Sequence, residues 1–175
     1  MQGAVSKSAK NVFYPIGRHG FPWNEEEYKA WSVAVGSVKR SYKEEVLDKI
    51  TLLEENFDVE QYGALSVDKE RYPLMSIKTR NWDQSKPNIL VTGGVHGYET
   101  SGVQGALQFL KTEAMKYSEK FNILVCPCTN PWGYECIQRW DVTGIDPNRS
   151  YYENSPCEPS AAVFNLVKKL DLKWI

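Results

Sequence analysis

Histidine is almost missing from this chain, with only His19 and His96 in 175 residues. Chemistry that needs several imidazoles from one polypeptide is therefore excluded for this chain alone. Cysteine is sparse too: Cys126, Cys128, Cys136 and Cys157 are too few for a secreted disulfide scaffold of this size. A reducing, cytoplasmic setting is the expected one. No apolar run approaches the roughly 18 residues of a membrane-spanning helix, and Met1 to Asn11 has no apolar stretch of a signal peptide. Neither sign of charge dominates, since 21 Lys+Arg face 22 Asp+Glu. That balance gives no broad field for gripping nucleic acid or an anionic membrane, and neither is an expected partner. Also missing are a phosphate-binding glycine loop with its lysine, a Gly-x-Ser-x-Gly elbow and a basic-aromatic stripe.

What remains is ample for a core: 42% of residues are hydrophobic and 13% aromatic, in a length typical of one domain. No repeat or long linker interrupts it. Residues 1–57 read as a helical N-terminal segment. Asn24 and Glu27 form a capping-box pattern, and Tyr28, Trp31, Val35 and Val38 recur at helical spacing, with Tyr28 and Trp31 as core anchors. Gly36 marks a break. Tyr42, Val46, Ile50, Leu53 and Phe57 continue the period as a second helix. Asp58 to Val67 and Tyr72 to Thr79 are strand candidates, joined as a hairpin by Asp68-Lys69-Glu70-Arg71.

From Asn88 onward the pattern becomes strand, helix, strand. Ile89-Leu90-Val91 and Gly93-Gly94-Val95 form a nearly continuous apolar run, as in a strand covered on both faces. Val103, Leu107, Leu110, Ala114 and Tyr117 make one helical stripe, and Phe121 to Cys126 is the next strand. A final helix is expected behind a Ser155–Glu158 capping box, with Pro156 at its first position and Val163, Leu166, Val167 and Leu170 on one face. Leu172 to Ile175 reads as the start of another strand. The fold class expected is α/β, with a mixed, largely parallel sheet flanked by helices.

Gly93-Gly94-Val95-His96-Gly97-Tyr98-Glu99 stands at the C-terminal end of a predicted parallel strand, the edge at which such sheets bind ligands. His96 and Glu99, three apart across a glycine-rich turn, can converge on one divalent ion. The plainer reading is a strand-to-helix turn in which Glu99 serves the helix N-terminus. Downstream stand Asn130-Pro131-Trp132-Gly133-Tyr134, then Arg139, then Asp146-Pro147-Asn148-Arg149.

These three segments, in this order, resemble the zinc carboxypeptidase superfamily: the M14 metallopeptidases and their aspartoacylase-like relatives. The motifs span Asn88 to Ile175. The resemblance implies a zinc carboxypeptidase/phosphorylase-hydrolase-like domain, beginning here at about residue 58. It implies one Zn2+ with His96 and Glu99 as ligands, Arg139 polarising the scissile carbonyl, and Asn148 and Arg149 holding the substrate's terminal carboxylate. The activity implied is hydrolysis, by a metal-bound water, of an amide bond next to a free carboxylate. The substrate is a peptide or, in the deacylase branch, an N-acyl amino acid.

Two departures qualify the resemblance. Pro147 stands where the family usually has Leu, which fixes φ and removes a donor. The family's second histidine ligand and its glutamate base have no counterpart, because no histidine follows His96 and His19 reads as a loop residue. Hence the expectation is that the chain represents the N-terminal part of a catalytic domain. Its zinc site would be incomplete and weak and its hydrolysis negligible, and an exposed sheet edge would favour self-association. The alternative is a non-catalytic relative that keeps the fold as a binding module. Cys126, Cys128 and Cys136 read as buried or loop thiols, and Trp132, Tyr134, Trp140, Tyr151 and Tyr152 as either cleft walls or core.

Overall fold

Residues 15–170 are described by a computed structural model. The expectations for Met1–Asn11 and for a strand at Leu172–Ile175 lie outside the described residues. Helix α1 (Glu25–Val35) begins with the predicted capping box: Asn24 Oδ1 accepts from the Glu27 N–H at 3.1 Å, and Glu27 Oε2 from the Asn24 N–H at 2.9 Å. It ends at Gly36, and its Trp31 is buried against Trp132, with ring centroids 6.1 Å apart. Tyr28 is not the expected core anchor. It is 40% exposed and lies edge-on to Trp23.

The second helix is shorter than its apolar period. A π-helical turn over Lys43–Leu47 leads into α2 (Asp48–Thr51). The chain then turns on itself, with the Phe57 N–H donating to the Leu53 carbonyl, and Phe57 opens strand β1 (Phe57–Ala64). Its burial belongs to the sheet, although its spacing suits the helix.

β1 pairs antiparallel with β2 (Pro73–Thr79), so the predicted hairpin forms, and Asp68 Oδ1 accepts from the Arg71 N–H at 3.0 Å within its connection. Strand β3 (Asn88–Thr92) follows, then α3 (Thr100–Thr112), a short α4 (Ala114–Tyr117) and β4 (Asn122–Cys126). Val103, Leu107, Leu110 and Ala114 are buried as expected; Tyr117 is half-exposed beyond the break at Glu113. The strand order is β1-β2-β4-β3. The sheet is mixed and flanked by helices, as expected. Among the described strands only β3 and β4 run parallel, while β1–β2 and β2–β4 are antiparallel. The parallel prediction rested on the β3–α3–β4 crossover, and the hairpin before it contributes the antiparallel pairs.

β4 is buried along its whole length, whereas β3, at the edge of the described sheet, is only half-buried rather than covered on both faces. Trp31, Tyr42, Val46, Ile50, Leu74, Ile77, Val103 and Val125 lie in one core cluster, so both N-terminal helical pieces share the interior of the sheet domain. The chain continues through α5 (Pro131–Cys136), a 3₁₀ turn at Pro147–Arg149 and α6 (Glu158–Lys169).

The expected cap of α6 does not form. Cys157 is its N-cap and Pro159, not Pro156, lies in the first turn. The Glu158 carboxylate reaches across to accept from the Ser66 N–H at 2.9 Å, while Ser155 Oγ accepts from the Cys157 N–H. A tertiary acceptor role outcompetes the local one. Among the described residues, no helix is long and apolar enough to cross a membrane.

Candidate metal-ligand turn at the sheet edge

Because β3 and β4 run parallel, their C-terminal ends lie side by side, and the chains leaving them stay together. Gly93 donates to the Cys126 carbonyl, Thr129 to that of Gly93 and Asn130 to that of Gly94, at 2.9–3.1 Å. Gly94 takes a left-handed φ of +62°, which turns the chain out of the sheet. This places the turn that carries His96 directly against α5.

There Gly97 meets Gly133 backbone to backbone: a Cβ on Gly97 would lie 1.9 Å from the Gly133 carbonyl carbon. The Asn-Pro-x-Gly-Tyr stretch supplies that surface. Asn130 caps α5, accepting from the Gly133 N–H at 3.1 Å and donating to the Trp140 carbonyl. Pro131 enters the helix where no N–H is needed. Glycine at 97 is thus required by that backbone contact, whereas a Cβ on Gly133 would strike the Asn130 cap, 2.6 Å from its Nδ2.

His96 is 7% exposed, its ring stacked with Tyr98 at 6.0 Å between centroids. Nδ1 lies 3.1 Å from Glu99 Oε1, and Nε2 lies 3.0 Å from Asp146 Oδ1. Glu99 is the N-cap residue of α3 but makes no side-chain cap hydrogen bond; its half-exposed carboxylate turns to the imidazole instead. It therefore gives α3 no side-chain capping hydrogen bond, although its charge stands at the helix N-terminus. Asp146 also accepts from Arg139 Nη2 at 3.0 Å and from the Asn148 N–H at 3.0 Å, and Arg139 Nη1 donates to the Tyr98 hydroxyl at 3.2 Å. Burial favours the protonated Asp146 carboxyl, but the hydrogen bonds from His96, Arg139 and the Asn148 N–H outweigh it and hold its pKa below the ordinary carboxylate value.

His96, Glu99 and Arg139 therefore belong to one hydrogen-bonded group with Asp146 at its centre. Asn148 and Arg149 are exposed on the 3₁₀ turn that Asp146 caps, with Arg149 Nη1 3.3 Å from the Asn148 carbonyl. Pro147, the departure from the family pattern, is accommodated: it opens that turn, is buried, and its carbonyl accepts from Ser160 Oγ at 2.7 Å. Asp146 and Tyr98 carried no role in the sequence reading. The signal for Asp146 was its position two residues before Asn148, but nothing local ties residue 146 to residue 96.

Among other candidates, Trp132 and Tyr134 are core residues, Trp140 is 37% exposed with the Arg139 guanidinium 5.4 Å above its ring, and Tyr151 and Tyr152 are exposed. His19 sits exposed in a turn. The four cysteines are buried free thiols, and burial pushes Cys136 and Cys157 up to about 11.

Zinc takes nitrogen, sulfur and carboxylate donors. The chemistry of the His96–Glu99 pair fits two such positions: Asp146 can hold a proton on Nε2, and a metal would replace the proton between Nδ1 and Glu99 Oε1. Among the described residues, no group of three or more His, Cys, Asp or Glu is disposed to hold a metal ion.

The sequence model of the zinc carboxypeptidase family (peptidase M14) matches residues 33–165, and the chain belongs to that family. The match starts well upstream of Asn88, so it takes in the π-helical turn, α2 and the β1–β2 hairpin, which the motifs alone left out. Carboxypeptidase 2 of Trichophyton rubrum is 35% identical over 100 residues, covering 51% of this chain and 19% of that protein. Carboxypeptidase 2 of Trichophyton tonsurans is 34% identical over 97 residues, covering 49% and 18%. The chain spans about a fifth of the length of these curated relatives.

Solved structures share the fold. The metallo-carboxypeptidase of Pseudomonas aeruginosa has a TM-score of 0.59 at 18% identity, covering 74% of this chain and 37% of that one. Bovine thrombin-activatable fibrinolysis inhibitor has a TM-score of 0.58 at 16% identity, covering 78% and 58%.

Proposed function

We propose that this chain carries half of a zinc carboxypeptidase site: His96 and Glu99 as metal ligands, Arg139 as the donor to the scissile carbonyl oxygen, and Asn148 and Arg149 as the anchor for the substrate's terminal carboxylate. The observation that carries the reading is the pairing of both imidazole nitrogens, Nε2 with Asp146 at 3.0 Å and Nδ1 with Glu99 at 3.1 Å. Zinc, when bound, supplies a Lewis acid that polarises the carbonyl and lowers the pKa of water. Asp146 keeps the Nε2 proton and so presents Nδ1 as the metal-facing atom. It also holds Arg139 beside the ligands, and the bond from Nη1 to Tyr98 must give way when a substrate oxygen takes that donor. An arginine fork on the Asp146 turn suits a terminal carboxylate.

With two protein donors this polypeptide binds zinc weakly and hydrolyses peptides negligibly. The test is a Zn2+ titration of the 15N-labelled chain, followed at the His96 ring nitrogens, alongside chelator-sensitive release of a C-terminal residue from peptides. Expected is a zinc-dependent shift at Nδ1 that Glu99→Ala abolishes or weakens, with scarcely measurable release. Absence of any shift at His96 would refute the ligand assignment. Turnover of N-acyl amino acids in place of peptides would move the substrate to the deacylase branch. Two donors without a third among the described residues also favour a second reading, a substrate-binding relative without catalysis. Tight binding of a C-terminal peptide with no zinc response would select it.

A further inference from the structure

Arg40 forms no ion pair among the described residues. Its half-buried guanidinium is spent on three acceptors around the ligand turn. Nε donates to the Tyr134 carbonyl at 2.6 Å, Nη2 to the Gly97 carbonyl at 2.6 Å, and Nη1 to Thr100 Oγ1. Its carbon lies 3.5 Å from the centroid of the Tyr134 ring. That ring is itself fixed, its hydroxyl donating to Glu45 and accepting from Gln104. The backbone around Arg40 is tied down as well: Lys39 N–H donates to the Glu135 carbonyl at 2.9 Å, and Tyr42 N–H to the Glu135 carboxylate at 2.8 Å. The fork is thus preorganised, with little rotamer freedom left to lose.

What it grips is specific. Gly97 lies between His96 and Glu99, and Thr100 follows Glu99 as the first residue of α3. We infer that Arg40 is a positioning residue, which holds the peptide between the two proposed zinc ligands and so keeps His96 Nδ1 and Glu99 Oε1 converged on one ion. This rests on the ligand assignment above. The residue lies outside the motifs that mark the site, 56 positions before His96, and acts only through its partners.

The test compares Arg40→Lys, Arg40→Met and Arg80→Met in the 175-residue chain. Arg80 is the matched control: its guanidinium clamps the Glu54 and Glu55 carbonyls at 2.6 and 2.7 Å and touches neither Gly97 nor Thr100. Zn2+ affinity is read from the His96 ring nitrogens, and stability from urea unfolding of the same samples. Arg40→Met should weaken zinc at least about tenfold, the order seen when the hydrogen-bond partners that orient a metal ligand are lost. Arg40→Lys, which keeps the charge and one hydrogen bond but not the fork, should fall between. Arg80→Met should lose stability with its affinity unchanged.

Equal affinity in Arg40→Met and wild type, or affinity that tracks stability in all three variants, overturns the inference. Should Arg40→Met fail to fold, Arg40→Lys decides, and wild-type affinity in it is the refuting result. If His96 in the unsubstituted chain does not respond to zinc, the ligand assignment itself falls, which is a different failure from a response that ignores Arg40.

Discussion

Adding one methyl group at Gly97 or at Gly105 should move stability in opposite directions. At Gly97 the new Cβ would stand 1.9 Å from the Gly133 carbonyl carbon, 2.2 Å from the Tyr134 nitrogen and 2.4 Å from the Gly133 oxygen. Ordinary van der Waals contact starts near 3.4 Å, so the two backbones must separate by more than an ångström. Neither can move cheaply. α5 is held by its Asn130 cap, and Arg40 bridges the Gly97 and Tyr134 carbonyls across the gap. Overpacking a core costs about 1–3 kcal/mol when side chains can adjust, and a clash with backbone belongs at or above the top of that range. At Gly105, inside α3, nothing lies within 4 Å of the new Cβ. There the alanine relieves the entropic penalty of helical glycine, a gain of about 0.5–1 kcal/mol. With a urea slope of about 2 kcal/mol/M, Gly97→Ala should lower the unfolding midpoint by about 1.5 M and Gly105→Ala should raise it by about 0.4 M. A Gly97→Ala midpoint at or above wild type would refute the backbone contact that places the ligand turn. A loss of midpoint in Gly105→Ala would refute the exposed position of that residue on α3.

Glu135→Ala should cost about 2–6 kcal/mol, at about 1–3 kcal/mol for each of the two buried donors, the Tyr42 N–H and the Tyr72 hydroxyl, that it leaves unpaired. It strips the acceptor from the Tyr42 N–H, the Arg71 guanidinium and the Tyr72 hydroxyl, all bonded to this 3%-exposed carboxylate at 2.7–2.9 Å; a loss under 1 kcal/mol by urea unfolding would contradict that. Stability should also fall in alkali. Burial raises the thiols of Cys136 and Cys157 to about 11 and that of Cys126 to about 12, from an ordinary 9.0. Between those values the folded chain keeps protons that the unfolded chain has released, so this stabilisation is complete below pH 9 and is lost as the pH rises towards 12. Urea midpoints that stay flat from pH 8 to 10.5 would show that the thiols are not shielded. Finally, β3, an edge of the sheet among the described residues, offers Asn88–Thr92 as a pairing template, while β1 carries a register shift between Gln61 and Gly63 that blunts the opposite edge. Self-association should therefore appear in light scattering and be suppressed by Val91→Lys; a monomer at all concentrations would remove the edge from consideration.

The sequence was most readable where one chemical requirement is met within a few residues. The Asn24–Glu27 box, the β1–β2 hairpin and the stripe of α3 are all local, and each appears where spacing alone puts it. His96 and Glu99 meet for the same reason, three residues apart on one turn. Reading failed where a residue serves a distant partner. Phe57 keeps the helical period but is claimed by β1, and Glu158 has the spacing of a capping acid but its acceptor goes to Ser66. Nor does a β–α–β pattern reveal that a preceding hairpin will join the same sheet and make most of the described pairings antiparallel.

The candidate site shows the same division. Its proposed ligand atoms come from one turn, but the groups bonded around them come from residues 40 and 146, on either side of that turn in the chain. An imidazole has two nitrogens, and a ligand role for one asks that the other be satisfied by a carboxylate, a backbone carbonyl or water. A ligand role for a local pair such as His96 and Glu99 therefore leaves one imidazole nitrogen to be satisfied by a residue from elsewhere or by water. In this molecule that residue is Asp146, and the Arg139 it also binds is brought beside the ligands by the same carboxylate. Replacing Asp146 with alanine should thus do two things at once: weaken zinc at His96 and free Arg139 from the turn. Asp146→Asn keeps a hydrogen-bonding side chain but loses the charge that attracts the guanidinium, so it should retain more zinc affinity than alanine while still loosening Arg139. Equal zinc affinity in the wild type and both variants would show that Asp146 braces the loop without tuning the imidazole.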